Sequence, residues 1–456
     1  MRFLPRFRRP DESPAPHDTA AHPAHLLIRG GHILTFDAER TEYPCADVLL
    51  DHGRIAAVGP DLAGTPAGAG AEHIDATGMV VLPGFIDTHR HNWNALLRGL
   101  GADWTTFGTY FQIGLATLSA HLTPEDVAIG GRLAALESLW YGTTTVLDWF
   151  HATNTPEHAV AAYQALRGSG LRGTFGYGPS SIHWFDGAGP DPDSVIALHQ
   201  AWRDDPGLLG FALAIRGPEF SPMPRVGEDL ALARDLGIPV TMHAGIDGFW
   251  QQAPSVQLLE KQDLLGPDLT FVHANLLSPE ELAAVAGCGA HVSLSPVVES
   301  TLHMGACPLP AVLAAGIQPS VSTDGVTGSN ADPFGQLREL ARQRPAEAGV
   351  VPAGDLLSYV TIDAARTLGI GHLTGSLEPG KAADVVLLRP SPNLIPRPAG
   401  ETAASVVIGA DGGNVDTVIV DGVVRKRHGV LVGVDLAAEQ ACAQAAQRRL
   451  LRDAGL

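Results

Sequence analysis

The chain has 456 residues, enough for one large domain and a smaller one, and its 45% hydrophobic content can fill a sizeable core. Its formal charge of −19 argues against nucleic acid and membrane surfaces as partners, because both are anionic and would repel it. Four scattered cysteines without a C-x-x-C pair are typical of a reducing compartment. We therefore expect a cytoplasmic protein, and homo-oligomerisation stays open.

Residues 1–24 are basic at the start but are followed by proline and acids rather than by an apolar signal-peptide core, which predicts a disordered tail. From residue 25 to 83 short apolar runs alternate with Gly and Asp-His-Gly turns. The same texture returns from 375 to 435. These two segments predict one small β-sandwich domain built from both ends of the chain, and the alanine-rich residues 436–456 predict a terminal helix.

Between 84 and 374 short apolar runs alternate with helical patterns, which predicts βα units around a parallel sheet. Two helix starts are clearly marked. Thr123 precedes Pro124, and Ser278 is followed by Pro279 and by Glu281 in the spacing of a capping box. Eight βα units over this length predict an α/β fold, a (β/α)8 TIM barrel, since no glycine-rich phosphate loop follows the first strand.

The predicted barrel strands end in polar residues, and the carboxyl ends of barrel strands share one face. The first strand ends in "HRH", where His89 and His91 lie two residues apart and therefore point to the same side. Later strands end in His243, His273 and Asp324. Any one of them alone would be an ordinary polar group. Five at successive strand ends predict a site for a divalent ion, with Zn²⁺ favoured and Fe²⁺, Mn²⁺ or Co²⁺ as alternatives.

The motifs "PGFIDTHRH", "GTTTVLD", "VTMHAG", "FVHANLLSPEE" and "VSTDG" together resemble the amidohydrolase superfamily, in its cytosine deaminase and atrazine chlorohydrolase-like branch. The resemblance spans about residues 25–435. It implies a metal-dependent hydrolase that acts on a small-molecule substrate. It also implies that His89, His91, His243 and Asp324 are the metal ligands and that His273 contacts the water.

The resemblance bears on the number of metal ions as well. Two-metal members commonly bridge their ions with a carboxylated lysine on strand 4, but the first lysine of this chain is Lys261, well beyond that strand. We therefore expect a single divalent ion. In the mechanism that the resemblance implies, a metal-activated water attacks an electrophilic carbon, Asp324 takes its proton and His273 orients it.

The chain departs from its relatives after the strand-5 histidine. Deaminases of this branch usually carry a glutamate three residues on, whereas here that position is Ile246. Glu219 after strand 4 and Glu299 after strand 7 are candidate catalytic acids in its place, with loop salt bridges or caps as the competing interpretation.

We expect a hydrolase that cleaves a C–N bond of a small, cyclic, heterocyclic or amide-like substrate. Dechlorination, urea or carbamate hydrolysis, and a metal-dependent lyase or decarboxylase reaction stay open as alternatives. Polar and aromatic residues after several strands are candidates for the substrate pocket: Trp93, Asn94, Trp149, Tyr177 and His303.

Overall fold

The computed structural model describes residues 25–182, 184, 187–343, 351–394 and 402–456, so the predicted N-terminal tail lies outside the described residues. Within these residues, no helix combines the length and the apolar character needed to cross a bilayer. The domain limits at residues 83, 374 and 435 stay a prediction.

The strands, in chain order, are β1 His25–Leu34, β2 Glu42–Asp51, β3 Arg54–Gly59, β4 Glu72–Asp75, β5 Val80–Pro83, β6 Phe85–Arg90, β7 Thr143–Phe150, β8 Arg172–Tyr177, β9 Leu209–Ile215, β10 Val240–Ala244, β11 Leu269–His273, β12 His291–Leu294, β13 Ser320–Val321, β14 Val385–Leu388, β15 Val415–Val420, β16 Val423–Arg427 and β17 Val430–Leu431.

The α-helices are α1 Pro66–Ala69, α2 Phe107–Thr109, α3 Pro124–Trp140, α4 Pro156–Arg167, α5 Pro192–Asp204, α6 Met223–Leu236, α7 Ser255–Glu260, α8 Pro279–Cys288, α9 Pro296–Thr301, α10 Leu309–Ala314, α11 Pro333–Arg342, α12 Ile362–Thr367, α13 Thr402–Gly409 and α14 Leu436–Asp453. Short 3₁₀ turns cover Leu62–Gly64, Asn92–Leu97, Ser119–His121 and Asp355–Val360, and a π-helix covers Tyr110–Leu118.

The strands β6 to β13 form one parallel sheet in chain order, which confirms the predicted barrel. The last strand, β13, is only two residues long. The sheet closes just beyond it, where Asp324 forms a parallel bridge with Arg90 of the first strand. The amide of Asp324 donates to the carbonyl of His89 at 2.9 Å. The closure of the barrel therefore uses the same residues that were predicted to hold the metal.

The other nine strands form a second sheet from both ends of the chain, as expected. Its centre is the antiparallel pairing of β5 with β14. Alternate residues there face opposite sides, as the two-residue period of a strand requires. Val81 and Val385 belong to a core within this small domain, whereas Leu82 and Val386 join the core of the barrel. The sheet thus packs one of its faces onto the barrel.

The two helix starts predicted from the sequence are present. Thr123 caps α3 and forms a capping box with Asp126, and Ser278 forms one with Glu281 at the start of α8. Such caps satisfy amide groups that a helix terminus leaves without partners. They fix the residue at which each of these helices begins.

A buried ion pair joins the barrel to the small domain. Arg172 at the start of β8 donates to Asp384 at 2.7 and 3.3 Å and to Asp421 at 2.9 Å. Asp384 also accepts from the Thr374 hydroxyl at 2.9 Å and from the amide of Asp421 at 2.8 Å. Both Arg172 and Asp384 are buried, so each charge depends on these partners.

The terminal helix α14 lies along α3 and the turn Asn92–Leu97. Gln447 donates to the carbonyls of Leu96 and Arg98 at 3.2 and 3.3 Å, and Arg449 pairs with Asp126. The helix predicted at the end of the chain is therefore attached to the segment that follows the first barrel strand.

The Asp384 junction generates a stability prediction. We expect Asp384→Ala to lower the free energy of unfolding by about 3–5 kcal/mol, because it leaves the Arg172 charge buried with one partner fewer. Urea denaturation followed by circular dichroism measures this. The control is Glu72→Ala at the exposed Arg427–Glu72 pair, where we expect a loss below about 1 kcal/mol. Equal losses for the two variants would contradict the assignment.

Candidate metal centre

The five strand-end residues predicted to converge do meet at one point. His89 and His91 come from the end of β6, His243 from β10, His273 from the end of β11, and Asp324 follows β13. All five are buried. Two overlapping trios have potential ligand atoms within 4.8 Å of one another: His89, His91 and His243, and His89, His273 and Asp324.

The Asp324 carboxylate lies at the centre of this cluster. Its Oδ1 is 3.2 Å from His89 Nε2 and 3.1 Å from His91 Nε2, and its Oδ2 is 3.6 Å from His273 Nε2. A tetrahedral zinc ion with bonds of about 2.0–2.1 Å separates its ligand atoms by roughly 3.3 Å. The spacing of Oδ1 and the two Nε2 atoms therefore fits donors around one small ion.

The hydrogen bonding of His91 gives an independent test of that fit. Its Nδ1 lies 2.7 Å from the carbonyl of Trp149, which can only accept, so Nδ1 carries the proton. In the neutral ring Nε2 then presents a lone pair, and it faces the Asp324 oxygen across 3.1 Å. Two electron-rich atoms at this distance need a cation or a proton between them. Donation of the other ring N–H to a backbone carbonyl is also the usual support of a metal-ligating histidine.

The remaining histidines suit the same purpose. Burial lowers the pKa of His89 to about 4 and holds the pKa of His243 well below its ordinary value, so both rings are neutral. Within the described part of the chain, the buried Nδ1 atoms of His89 and His243 have no hydrogen-bond partner. Burial opposes ionisation of Asp324, but the adjacent His89 ring, with smaller contributions from His91 and His273, holds its pKa well below the usual range. The set offers neutral imidazoles and one carboxylate.

The backbone at the centre is strained. His273 has φ of 80° and Asp324 has φ of 56°, and neither is a glycine. Residues in this left-handed region cost about 1–3 kcal/mol each and cluster at functional sites. Asp87 holds the second of these turns, because its carboxylate accepts from the Thr323 amide at 3.1 Å and from the Thr323 hydroxyl at 2.5 Å.

The two candidate acids have different surroundings. Glu299 is buried, and its Oε1 accepts from the amide of Ser295 at 2.6 Å and lies 3.1 Å from His273 Nδ1. It therefore contacts Nδ1 of His273, whereas the other ring nitrogen, Nε2, faces Asp324. Glu219 follows β9 and reaches the exit of the neighbouring strand β10, where it accepts from the amides of Gly245 at 2.6 Å and Ile246 at 3.2 Å.

A cavity opens beside His91, His243, His273 and Asp324. None of the five predicted pocket residues lies among its lining residues. Trp93 and Trp149 instead pack behind the histidines, with Trp149 4.6 Å from the His243 ring, and Asn94 donates to the Tyr110 hydroxyl at 3.4 Å. Tyr177 is buried in the barrel wall and His303 is exposed.

Five of the described residues that line the cavity are aromatics that the sequence patterns did not indicate. They come from the segment between β6 and α3 and from the loop after β8: Trp104, Phe107, Tyr110, Phe111 and Trp184. The run "DWTTFGTYF" at 103–111 carries four aromatics in nine residues and is the signal that could have indicated them. Because these residues lie between predicted elements, no periodic pattern marked the direction of their side chains.

A closed barrel with histidine and carboxylate side chains at its carboxyl face defines a class of metal-dependent hydrolases. The family model described as "Amidohydrolase family" matches residues 80–425. The chain belongs to this family, as its motifs predicted, and it is a hydrolase of carbon–nitrogen bonds.

Curated relatives and solved structures agree with this. The 5-methylthioadenosine/S-adenosylhomocysteine deaminase of Nitratidesulfovibrio vulgaris is 30% identical over 95% of this chain and 99% of its own. The deaminase of the same name from Symbiobacterium thermophilum is 29% identical over 87% of this chain and 92% of its own. An adenosine deaminase from Xanthomonas campestris with bound zinc superposes with a TM-score of 0.82 at 26% identity, covering 94% of this chain and 99% of its own. An atrazine chlorohydrolase from Arthrobacter aurescens shares the fold, with a TM-score of 0.80 at 24% identity. The match covers 92% of this chain and 100% of that protein.

The geometry generates a prediction about metal content. We expect purified protein to carry about one equivalent of a transition metal, and His89→Ala to bind it at least about tenfold more weakly, since one donor is lost. Inductively coupled plasma mass spectrometry after dialysis measures the content. The exposed His303→Ala is the matched control and should retain the metal. Wild-type protein with less than about half an equivalent, not restored by added Zn²⁺, would contradict the site.

Proposed function

We propose that this protein hydrolytically deaminates an amino-substituted, planar heterocycle. The observation that carries the proposal is the meeting of four ligand residues with His273, directly beside a cavity with aromatic walls. The zinc-containing adenosine deaminase and the two relatives that are nucleoside deaminases support a substrate of the aminopurine type.

The residues that would hold the metal are His89, His91, His243 and Asp324, and their nitrogen and oxygen donors favour Zn²⁺. A divalent ion there supplies a Lewis acid that brings the pKa of a water ligand toward about 7. Asp324 is placed to take the proton, because Oδ1 faces the ligand histidines while Oδ2 faces His273. His273, whose ring is fixed from behind by Glu299, is placed to orient the attacking water.

Loss of an amine also needs a proton donor, because an amide anion is a poor leaving group. The two candidate acids differ in their fitness for this role. Glu299 is committed to His273 and to the Ser295 amide. Burial raises the pKa of Glu219 to about 7, against hydrogen bonds from Ser255, Gly245 and Ile246 that lower it. Glu219 is therefore partly protonated near neutral pH and is our candidate acid, with Glu299 as a positioning residue.

A second candidate function follows from Ile246, which is buried and carries no carboxyl group at the position where deaminases of the branch that the chain resembles usually have a glutamate. Chloride leaves as a stable anion and needs no proton. A site weak in proton donation would therefore suit hydrolytic loss of such a group better than loss of an amine.

A substrate screen tests the proposed reaction. We expect metal-loaded protein to release ammonia from at least one amino-substituted purine, pyrimidine or triazine, with 5′-methylthioadenosine and S-adenosylhomocysteine included in the panel. A coupled glutamate dehydrogenase assay detects the ammonia. Release of chloride from chlorotriazines without ammonia from any amine would favour the second candidate, and no hydrolysis of either group would contradict both.

Variants of Asp324 and Glu219 test the roles of these two acids. We expect Asp324→Asn to lower kcat/KM by at least about 10³-fold and Glu219→Gln by about 10²-fold, because proton transfer typically contributes 10²–10⁴. Steady-state kinetics on the best amine substrate measures this. Glu228→Gln, at an exposed glutamate on the helix after the same strand as Glu219, is the control and should match wild type.

Two measurements distinguish a catalytic acid from a structural residue: the pH profile of amine loss, and a comparison of amine loss with chloride loss. Protonated Glu219 is needed for amine loss, so kcat/KM should fall as pH rises through its pKa, and this limb should vanish in Glu219→Gln. The same variant should leave chloride loss from a matched substrate unchanged. Equal slowing of both reactions would remove Glu219 from the mechanism.

A further inference from the structure

His151 lies in the cavity wall next to the metal centre and takes no part in the proposed proton transfers. It follows β7 directly, is almost fully buried, and its ring centre is 4.1 Å from that of His91. It lines the cavity together with His243, His273 and Asp324. Its hydrogen bonds determine what it presents to a ligand there.

The Nδ1 atom of His151 must be an acceptor. The indole N–H of Trp93, which can only donate, points at it across 3.3 Å. The Trp149 carbonyl is 3.4 Å away and already accepts the shorter bond from His91. A proton on His151 Nδ1 would face the indole proton and leave it buried without a partner. The proton of the neutral ring is therefore on Nε2, which has no hydrogen-bond partner among the described residues.

Trp184 supplies a second donor on the same wall. Its side chain is buried and lines the cavity, and across the described ranges no acceptor reaches its indole Nε1. The ring is held in place by the Arg216 guanidinium at 5.2 Å and by Phe220 at 5.5 Å. A buried N–H without an acceptor costs about 1–3 kcal/mol, so a ligand that supplies an acceptor recovers that energy.

The two rings that carry these donors, His151 and Trp184, are neighbours, and their centres are 5.6 Å apart. The wall also carries the aromatic rings of Trp104, Phe107 and Phe111, and its other polar side chains are mostly uncharged, among them Tyr110, Thr301, Thr327 and Ser329. Among the described lining residues there is no lysine or arginine, and the only carboxylate is Asp324. A ligand that fits this wall is planar and uncharged and carries hydrogen-bond acceptors along one edge.

We propose that His151 Nε2–H and Trp184 Nε1–H are specificity-determining donors that bind ring nitrogens or exocyclic carbonyl oxygens on one edge of a neutral heterocyclic substrate. This inference rests on the proposed function, because only that function makes the bound heterocycle a substrate. The recognition itself is a binding property and can be measured without turnover.

A pair of probes of equal shape, neither of which carries an amino or chloro leaving group, tests the proposal. Quinazoline carries two ring-nitrogen acceptors, and naphthalene has the same flat outline with none. We expect the metal-loaded wild type to bind quinazoline at least about tenfold more tightly than naphthalene, measured by ligand-detected NMR titration. His151→Phe and Trp184→Phe should each weaken quinazoline binding by about 3- to 10-fold, the size of one lost hydrogen bond, and leave naphthalene unchanged.

Controls separate recognition from folding and from direct metal binding. Trp202→Phe removes an indole that donates to the Leu209 carbonyl outside the cavity, and it should bind both probes as wild type does. His151→Gln, which keeps an N–H donor, should regain part of the preference. Persistence of the preference in both Phe variants would mean that the nitrogens bind the metal and would overturn the proposal. So would equal or undetectable binding of the two probes to wild type. Failure to release ammonia bears on the proposed function alone.

Discussion

The structure depends most on the position of Asp324. Its backbone completes the barrel by pairing with the first strand, through a hydrogen bond from its amide to the His89 carbonyl. Its side chain meets two histidines at the end of that same strand and a third at the end of β11. The same residue thus closes the sheet and joins the histidine cluster. Since Oδ1 faces lone pairs, the carboxylate would destabilise the closed barrel unless a cation or protons lay between these atoms.

Buried groups around Asp324 and the histidines hold this arrangement in place. Asp87 fixes the turn before Asp324, the Trp149 carbonyl fixes the tautomer of His91, and Glu299 fixes the ring of His273. Each of these groups is buried and touches a site residue rather than the cavity. The groups that support the centre therefore come from the strands β6 and β7 and from the helix α9. The aromatic residues of the cavity wall come instead from less regular segments, between β6 and α3 and after β8.

The sequence sufficed for the barrel, its eight strands and the meeting of His89, His91, His243, His273 and Asp324. Those features follow from the period of apolar residues and from one rule, that parallel strand ends share a face. The predicted pocket residues Trp93, Trp149 and Tyr177 illustrate where the rule stops. Each lies on or just beyond a barrel strand, but a residue at a strand end can pack behind the histidine cluster as readily as it can face the cavity. Side-chain direction in the loops, as for Trp184, depends on contacts with Arg216 and Phe220 that have no local signature.

The attachment of the terminal helix α14 has a consequence for how distant parts of the chain are coupled. Gln447 binds the carbonyls of Leu96 and Arg98, at the end of the turn that carries Trp93. Trp93 in turn dictates which nitrogen of His151 bears its proton. The last helix of the protein, outside the barrel and far in sequence from the histidine cluster, is thus connected through one turn and the hydrogen bonds at its two ends to a single imidazole in the cavity wall.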